Sequence, residues 1–463
     1  MVVAAAASVR LDANRQRVAL LVCCALLAGA CGAPLPGPDS ATTMAESTSS
    51  ADIVFTNAVV YTQDPDFGKV EAIAVTGDRI TDVGAVQEMS TYIGPDTNVI
   101  DLDGGTVIPG FVDAHTHILT DTGSVSVGQP QALEVGITTV AEAFVDRERL
   151  DTLREAGDSG ELRLRTSLYL IRTDNCGSDQ GRWYEEYAPG ELLSERVRVA
   201  GVKVFADGGT CGPFAISEPY RDGVEVGAPF ATQEVMNAYV EDADRAGYQL
   251  LVHAIGDLAI AQVMDAYLEV LGPGGAARLN HRIDHNIFQT PSISGRYDEL
   301  GVSVALFGWL DTCRLESDFT DFWYDYADDP SIPIEQNPNT VFGWHGDDPW
   351  VGPVNPLREI FSLETRAEPR DGEICQPDDR VAKKTIPRQK AFDMMTTGSS
   401  FLLNQSRLVG SLTPGKSADI VILSDDLMTV EPERLLEIQV EMTMIGGIAE
   451  YCVSEFCKDL VAP

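Results

Sequence analysis

The chain has 463 residues, of which 33 are basic and 71 acidic, and its formal net charge is −38. A chain of this length can bury one large core, or one large and one small core. Its hydrophobic content of 44% is ordinary for a globular protein. The acidic balance argues against nucleic acid as a partner, because phosphates require a basic surface. It also argues against electrostatic docking on anionic lipid.

The first fifty or so residues are typical of a targeting segment followed by a tether. Three arginines, Arg10, Arg15 and Arg17, precede the apolar run Val18–Ala30. This run is too short for a stable transmembrane helix. The run ends at Cys31 in a sequence that resembles a bacterial lipobox. We therefore expect a signal peptide over residues 1–31 and a cell-envelope lipoprotein anchored at Cys31, with simple cleavage and secretion as the alternative. Residues 32–51 are rich in small and polar residues and predict a flexible tether.

Export would place the chain where disulfides persist. Six cysteines follow the predicted signal peptide, namely Cys176, Cys211, Cys313, Cys375, Cys452 and Cys457. Six cysteines allow fifteen pairings, and the easiest is Cys452 with Cys457, which flank a short polar turn. Since none has metal-ligand CxxC spacing, we expect structural disulfides.

Both ends of the predicted mature chain alternate apolar and polar residues in the manner of β-strands, with glycine and aspartate turns between them. These regions are residues 52–105 and 408–463. The pattern predicts one small β-sandwich domain built from both chain ends.

Residues 106–407 alternate short apolar strands with helices, which is the pattern of a parallel α/β fold. The strand candidates are Val107–Ala114, Gly136–Ala143, Leu162–Leu170, Val197–Phe205, Gln249–Ala254, Arg278–Asp284, Val302–Leu306 and Val341–Trp344. Helices are predicted over Gln233–Ala246 and Leu258–Leu271. Eight strands over roughly 240 residues is the size of a closed (β/α)8 TIM barrel. An open doubly wound sheet is the alternative, but no GxGxxG motif follows a strand.

The most informative motif is His115-Thr116-His117 at the end of the first predicted barrel strand. Alternate residues of a strand point to the same side, so the two imidazoles can reach one metal ion. The chain has only 6 histidines, which makes this spacing notable. An ordinary strand-end pair without an ion is the alternative.

Catalytic groups of a barrel lie at the C-terminal ends of its strands, and four further strands carry candidates there. They are Lys203, His253, His281 or His285, and Asp347 or Asp348. A lysine inside an apolar strand is costly to bury unless it is paired or neutralised. A neutral amine can take up carbon dioxide to give a carbamate anion that could bridge two cations.

This order of motifs resembles the amidohydrolase superfamily, and more narrowly the amidohydrolase-3 group, which includes the N-substituted formamide deformylases. The resemblance extends from about residue 52 to residue 450, and its motifs are residues 108–117, 136–140, 202–208, 253–257, 282–285 and 412–419. Two positions depart from the family pattern: Gly346 replaces the usual serine, and His345 is unexpected.

The resemblance implies a two-metal site with a bridging lysine. Its ligands would be His115 and His117 for the first ion, carboxylated Lys203 between the ions, His253 and His285 for the second ion, and Asp347 as a metal ligand that also shuttles the proton. The spacing to Pro349 favours Asp347 over Asp348, and the Ile-Asp-His match favours His285 over His281. Ligating imidazoles need outer partners that orient them, and the candidates are Asp113, Asp207 and Asp284.

By this resemblance we expect a metal-dependent amidohydrolase that hydrolyses a non-peptide carbon–nitrogen bond of a small-molecule amide through a metal-bridging hydroxide. The donor set suits two divalent ions, with zinc preferred. A mononuclear deaminase on the same fold and a catalytically silent lipid-tethered binding protein are the alternatives. A homo-oligomer is left open. Aromatic residues that could line a substrate pocket are Trp183, Tyr184, Phe214, Trp309, Trp323, Trp344 and Trp350.

Overall fold

The computed structural model describes most of the chain after the predicted tether. Its described residues are 50–221, 223–307, 320, 322–323, 327, 329–370 and 372–461. The predicted signal peptide with Cys31, almost all of the predicted tether, Cys313 and Trp309 lie outside them.

The described residues alternate strands with helices through the middle of the chain. The strands are β1 (Ile53–Thr56), β2 (Val59–Tyr61), β3 (Lys69–Val70), β4 (Ala72–Thr76), β5 (Arg79–Gly84), β6 (Asn98–Asp101), β7 (Thr106–Pro109), β8 (Phe111–Thr116), β9 (Ile137–Val145), β10 (Arg165–Ile171), β11 (Val197–Phe205), β12 (Gln249–Ala254), β13 (Arg282–His285), β14 (Ser303–Phe307), β15 (Phe342–His345), β16 (Glu368–Arg370), β17 (Glu373–Cys375), β18 (Ile420–Leu423), β19 (Val440–Ile445) and β20 (Ile448–Cys452). The α-helices with described bounds are α1 (Val86–Met89), α2 (Val125–Glu134), α3 (Arg147–Ser159), α4 (Gln233–Ala246), α5 (Asp257–Leu271), α6 (Pro291–Ser294), α7 (Tyr297–Leu300), α8 (Ser331–Gln336), α9 (Pro356–Thr365), α10 (Arg388–Asp393) and α11 (Ser399–Leu402).

Strands β8 to β15 form one eight-stranded sheet in sequence order, and every neighbouring pair in it is parallel. Two backbone hydrogen bonds join the residues at the ends of its first and last strands. Asp347 N donates to His115 O at 3.0 Å, and His117 N donates to Asp348 O at 2.8 Å. The sheet is therefore the (β/α)8 barrel that the sequence predicts.

Two further sheets contain the β-strands near both ends of the described chain. One has the order β5-β4-β1-β6, and the other has the order β20-β19-β18-β7-β2-β3. The second sheet combines N-terminal and C-terminal strands, as expected of a small β domain formed from both chain ends. The residue boundaries of the domains stay predictions.

The predicted first barrel strand, Val107–Ala114, is wrong in one respect, since the structure divides it into β7 and β8. Strand β7 pairs with β18 in the outer sheet, and β8 pairs with β9 in the barrel. Gly110 lies between them, and a Cβ at this position would lie 2.2 Å from the Thr138 hydroxyl, so a larger residue does not fit without a shift. The sixth strand is also shorter than predicted, because residues Gly275–Arg278 form a 3-10 helix.

The core consists of several packed layers. A large cluster of buried residues includes Leu168, Val252 and Ile260 and fills the space between the strands and the helices. A second cluster, which includes Ala141, Leu251 and Leu402, packs small and branched side chains from several barrel strands against α11. Among the described helices, none combines the length and the apolar composition needed to cross a membrane.

Two disulfides have both of their cysteines among the described residues. Cys452 bonds to Cys457, which is the pair that the sequence favours, and Cys176 bonds to Cys211. The second bond joins the segment after β10 to the segment after β11. Cys375 is disulfide-bonded as well.

Candidate metal centre

The C-terminal ends of five barrel strands converge on a cavity of about 380 Å³. Its described lining residues are His115, His117, Asp121, Phe144, Arg149, Asn175, Phe205, Gly209, Thr210, His253, His285, Asp347 and Trp350. The cavity lies at the end of the barrel where this fold places catalytic groups.

The first group of potential ligands is His115, His117 and Asp347, which offer donor atoms within 4.8 Å of one another. The Nε2 atoms of the two histidines lie 3.5 and 3.3 Å from Asp347 Oδ1. Asp348 is directed elsewhere, because its Oδ2 accepts a hydrogen bond from Val354 N at 3.0 Å. The structure thus brings Asp347, and not the Asp348 carboxylate, to the two histidines.

Lys203 lies in β11, and its side chain is fully buried beside the same histidines. Its Nζ is 3.3 Å from His115 Nε2 and 4.6 Å from the centre of the Phe205 ring. No carboxylate of the described chain forms an ion pair with it. Burial lowers the pKa of Lys203 to about 7, so that near neutral pH much of it is an uncharged amine.

His253 and His285 form the second group, with ring centres 4.5 Å apart. His253 donates from Nε2 to the Gly208 carbonyl at 3.0 Å, and its Nδ1 is then the nitrogen with a lone pair for a metal. Both ring nitrogens of His285 are buried without a hydrogen-bond partner among the described residues. Burial lowers the pKa of His253 to about 3 and that of His285 well below its usual value. Both rings are therefore neutral and able to ligate.

His281, the alternative to His285, lies outside the site. Its Nδ1 accepts from Leu250 N at 2.9 Å, and its Nε2 lies 3.2 Å from Asp244 Oδ1. Its ring stacks on Tyr267. His285 is the histidine of this pair that reaches the cavity.

Of the three carboxylates predicted to orient the imidazoles, Asp284 is the one that contacts a site imidazole closely. Its Oδ2 lies 2.7 Å from His115 Nδ1 and 2.9 Å from a terminal nitrogen of Arg282. The Nδ1–H of His115 donates to Asp284, and this leaves the Nε2 lone pair facing Asp347 and Lys203.

The other two predicted carboxylates act mainly on the backbone. Asp113 accepts from the His115 and Gly346 N–H groups at 3.1 and 3.2 Å, so it ties β8 to the residues after β15. Asp207 accepts from three backbone N–H groups between 2.9 and 3.0 Å, which fix the segments after β11 and β12. Its nearest approach to His253 Nε2 is 3.8 Å.

The donor set fits a divalent cation. Burial lowers the pKa of His115 well below its usual value, and the unpaired His285 nitrogens and the buried Nδ1 of His117 leave lone pairs without partners. Burial opposes ionisation of Asp347, but the hydrogen bond from His117 is among the interactions that lower its pKa overall. Neutral imidazoles around an ionised carboxylate are the ligands that zinc-type ions prefer.

Two buried residues near the site were not predicted to have a role there. Glu142 accepts from Leu119 N at 2.6 Å and from the Thr120 hydroxyl at 3.0 Å, and so holds the segment after His117. Burial raises its pKa to about 7. The sequence signal for Glu142 was a carboxylate within the otherwise apolar run 140–145. His345, noted only as unexpected, lies with its ring 4.8 Å from that of His285.

The rim of the cavity is built around Asp121, whose carboxylate holds Arg149 at 2.6 Å and accepts from Trp350 Nε1 at 3.1 Å. Phe144 and Phe205 form further aromatic walls. Of the predicted aromatic residues only Trp350 lines this cavity among the described residues. Trp323, Trp344 and Tyr184 are buried in the core, so their proposed place in the pocket is wrong.

Comparison with known proteins gives a family match over most of the chain. The amidohydrolase family model matches residues 120–448. The chain is 35% identical over 332 residues to an N-substituted formamide deformylase of Arthrobacter pascens, with 69% of this chain and 58% of the relative covered. It is 29% identical over 268 residues to the protein LONG AFTER FAR-RED 3 of Arabidopsis thaliana, with 56% and 44% covered. The chain thus spans about half the length of the curated relatives it matches.

A solved structure shares the fold over most of both chains. It is an uncharacterized metal-dependent hydrolase from Pyrococcus horikoshii OT3, with a TM-score of 0.68 and 16% identity, covering 82% of this chain and 99% of that one.

Proposed function

Because the chain belongs to the amidohydrolase family, we propose that it is a metal-dependent hydrolase that cleaves a non-peptide carbon–nitrogen bond in a small-molecule amide. The observation that carries this proposal is the convergence of His115, His117 and Asp347 within 4.8 Å at the floor of the cavity. The name of the formamide deformylase relative supports the choice of an amide bond.

The residues present support a site for two divalent ions, for which we propose zinc. His115, His117 and Asp347 would hold one ion, and His253 and His285 would hold the other. When bound, such ions lower the pKa of water and polarise a carbonyl group.

We propose that Lys203 joins the two ions as a carbamate. The uncharged Nζ adds to carbon dioxide and releases one proton, which gives an N-carboxylate with two oxygens. The absence of an ion pair to Lys203 in the described chain, and its lowered pKa, support this reaction because the uncharged amine is the form that reacts.

The proton transfers of amide hydrolysis are assigned to Asp347. Its carboxylate would take the proton of the attacking water and deliver it to the leaving nitrogen, which must be protonated to depart. The hydrogen bond between Asp347 N and His115 O fixes this residue against β8. The aromatic walls at Phe144, Phe205 and Trp350 favour an amide with an apolar substituent.

The segment that would decide localisation lies outside the described residues, and we propose export with a lipid anchor at Cys31. The disulfides of the described chain support this, because such bonds persist in oxidising compartments. The acidic charge of −38 supports small molecules, and not nucleic acid, as partners.

The test uses the zinc-loaded protein and a panel of N-formyl and N-acyl amines, N-acyl amino acids, lactams and esters, with product amines detected. We expect turnover of at least one amide. We also expect Asp347→Asn to lower kcat by about a hundredfold to ten-thousandfold, the usual contribution of general acid–base catalysis.

Asp348→Asn is the matched control, because an amide oxygen can still accept the Val354 N–H. Equal losses in the two variants would contradict the role of Asp347. A metal-loaded protein that is inert against the whole panel would contradict the proposed function.

A further inference from the structure

Trp350 lines the cavity that holds the proposed metal ligands, and the residue is 65% exposed. A single exposed apolar residue is common on protein surfaces. Leu192 is an example, since it is 68% exposed and is not among the described residues that line the cavity. Exposure alone therefore gives Trp350 no role, and the contacts of the residue have to decide.

Trp350 is held at two points. Its Nε1 donates to Asp121 Oδ2 at 3.1 Å, and its backbone N–H donates to the Asp347 carbonyl at 2.9 Å. Asp121 is fixed in turn, because its backbone N–H donates to the His117 carbonyl at 2.8 Å and its Oδ1 pairs with Arg149 at 2.6 Å. The indole is thus anchored by its polar tip to the segments that carry two proposed metal ligands.

The other tryptophans among the described residues are covered by the protein. Trp323 and Trp344 are fully buried. Trp183 is partly buried, and the Arg147 guanidinium lies 4.8 Å from its ring centre. Within the described part of the chain, no aromatic ring or cation stacks on Trp350, so its ring is open to a ligand.

The same contrast holds among the aromatic side chains that line the cavity. The Arg149 guanidinium lies 4.7 Å from the ring centre of Phe144, and Lys203 Nζ lies 4.6 Å from that of Phe205. The rings of Phe144 and Phe205 also contact each other edge to face, with centres 5.9 Å apart. Protein groups therefore occupy these two rings, whereas the Trp350 indole offers an uncovered flat surface.

We propose that Trp350 is a specificity-determining residue whose ring binds an aromatic substituent of the amide substrate. This inference rests on the hydrolase function proposed above. Aromatic pairs gain free energy from offset or edge-to-face contacts in addition to apolar burial, and an indole with an anchored N–H can make such contacts without losing further freedom. The cavity volume of about 380 Å³ suits a small ligand of this kind.

The first test uses two amides that share one acyl group and differ in a phenyl ring, an N-phenylethyl amide and an N-ethyl amide. We expect the wild type to prefer the N-phenylethyl amide. Trp350→Ala should lower the ratio of the two kcat/KM values by at least about tenfold, the lower end of the discrimination that a small apolar contact provides.

Two further variants sharpen this measurement. Trp350→Phe keeps an aromatic ring but lacks the N–H that Asp121 holds, so its loss of preference should be smaller than that of Trp350→Ala. Leu192→Ala removes an exposed apolar side chain away from the cavity and should keep the wild-type ratio. Equal losses of kcat/KM for both amides in Trp350→Ala, which leave the ratio unchanged, would overturn the inference.

The second test measures binding without turnover. The zinc-loaded protein is labelled with fluorinated tryptophan, and the Trp350 signal among those of the 5 tryptophans is identified by its loss in Trp350→Phe. The probes are N-phenylethyl and N-ethyl methanesulfonamide, which have no carbonyl carbon for water to attack. We expect the N-phenylethyl probe to shift the Trp350 fluorine signal more than the N-ethyl probe does, and neither probe to shift the Trp183 signal.

The outcomes separate this inference from the proposed function. A Trp350 signal that the N-phenylethyl probe does not move would overturn the inference, and hydrolysis of any amide in the panel would leave the proposed function intact. If no amide is hydrolysed, the proposed function fails and the inference fails with it.

Discussion

Gln249 at the N-terminal end of the barrel and the pair His285 and His345 at its C-terminal end are buried polar side chains with opposite hydrogen bonding. At the N-terminal end, Gln249 donates to the Asn280 and Leu402 carbonyls at 2.5 and 2.8 Å and accepts from the Tyr169 hydroxyl at 2.6 Å. At the C-terminal end, His285 and His345 have no hydrogen-bond partner in the described chain. Satisfied polar groups stabilise the fold, whereas unpaired lone pairs are available to a ligand.

The largest expected effect is at the C-terminal end. His285→Leu keeps a similar volume but removes both lone pairs, so metal affinity should fall by more than about a hundredfold, the upper range for loss of an outer partner. The unfolding free energy of the metal-free variant should change little, since no hydrogen bond is lost. Chelator competition and urea unfolding measure the two quantities. The comparison would be contradicted if His285→Leu bound zinc with wild-type affinity and its metal-free form were strongly destabilised.

Asp284 affects both the metal site and the stability of the fold. It contacts the proposed metal ligand His115 and also pairs with the buried Arg282. Asp284→Asn should weaken metal binding by about tenfold to a hundredfold and destabilise the fold by about 3–5 kcal/mol, the cost of leaving one buried charge unpaired.

Adding Arg282→Met to Asp284→Asn separates the effect on metal affinity from the effect on stability. The double variant should recover stability but not metal affinity, as followed by urea unfolding and metal titration. Recovery of both would show that Asp284 acts on the site through stability alone.

At the N-terminal end, Gln249→Leu should act on stability alone. It removes the Gln249 partner of the Asn280 carbonyl, the Leu402 carbonyl and the Tyr169 hydroxyl, at a cost of about 1–3 kcal/mol for each group left unsatisfied. Zinc affinity and kcat per folded molecule should equal those of the wild type. A loss of zinc affinity in this variant would remove the distinction between the two ends.

The smallest expected effect concerns the two disulfides. Cys176–Cys211 joins segments that supply Asn175 and Thr210 to the cavity, so replacing both cysteines by serine should raise KM by about threefold to tenfold through loss of preorganisation. The matching Cys452–Cys457 variant should leave KM unchanged, because neither these cysteines nor their neighbours in the chain line the cavity. Steady-state kinetics on one amide substrate decide between these outcomes.

Much of the architecture could be predicted because its signals are local. Alternation of apolar strands with helices indicated the barrel, and the predicted bounds of β11, β12 and α4 match the structure. The division of the first strand was not predicted, because it shows in the pairing of β7 with β18 and of β8 with β9, which are distant in the sequence.

For the site, the motifs contained four histidines and Asp347 that line the cavity, and Lys203, whose Nζ lies 3.3 Å from His115 Nε2. Their spacing could not show that Asp207 acts on the backbone, since its partners come from segments up to 49 residues away. Nor could it show the environment of His345, which depends on rings contributed by three other strands.

We propose that the C-terminal end of the barrel is a two-metal hydrolytic site. The most direct measurement is the rate of amide hydrolysis by metal-free protein as zinc is added in bicarbonate buffer. We predict no activity without zinc and a plateau at two equivalents of zinc per chain. Hydrolysis that is independent of zinc, or a plateau at one equivalent, would contradict it.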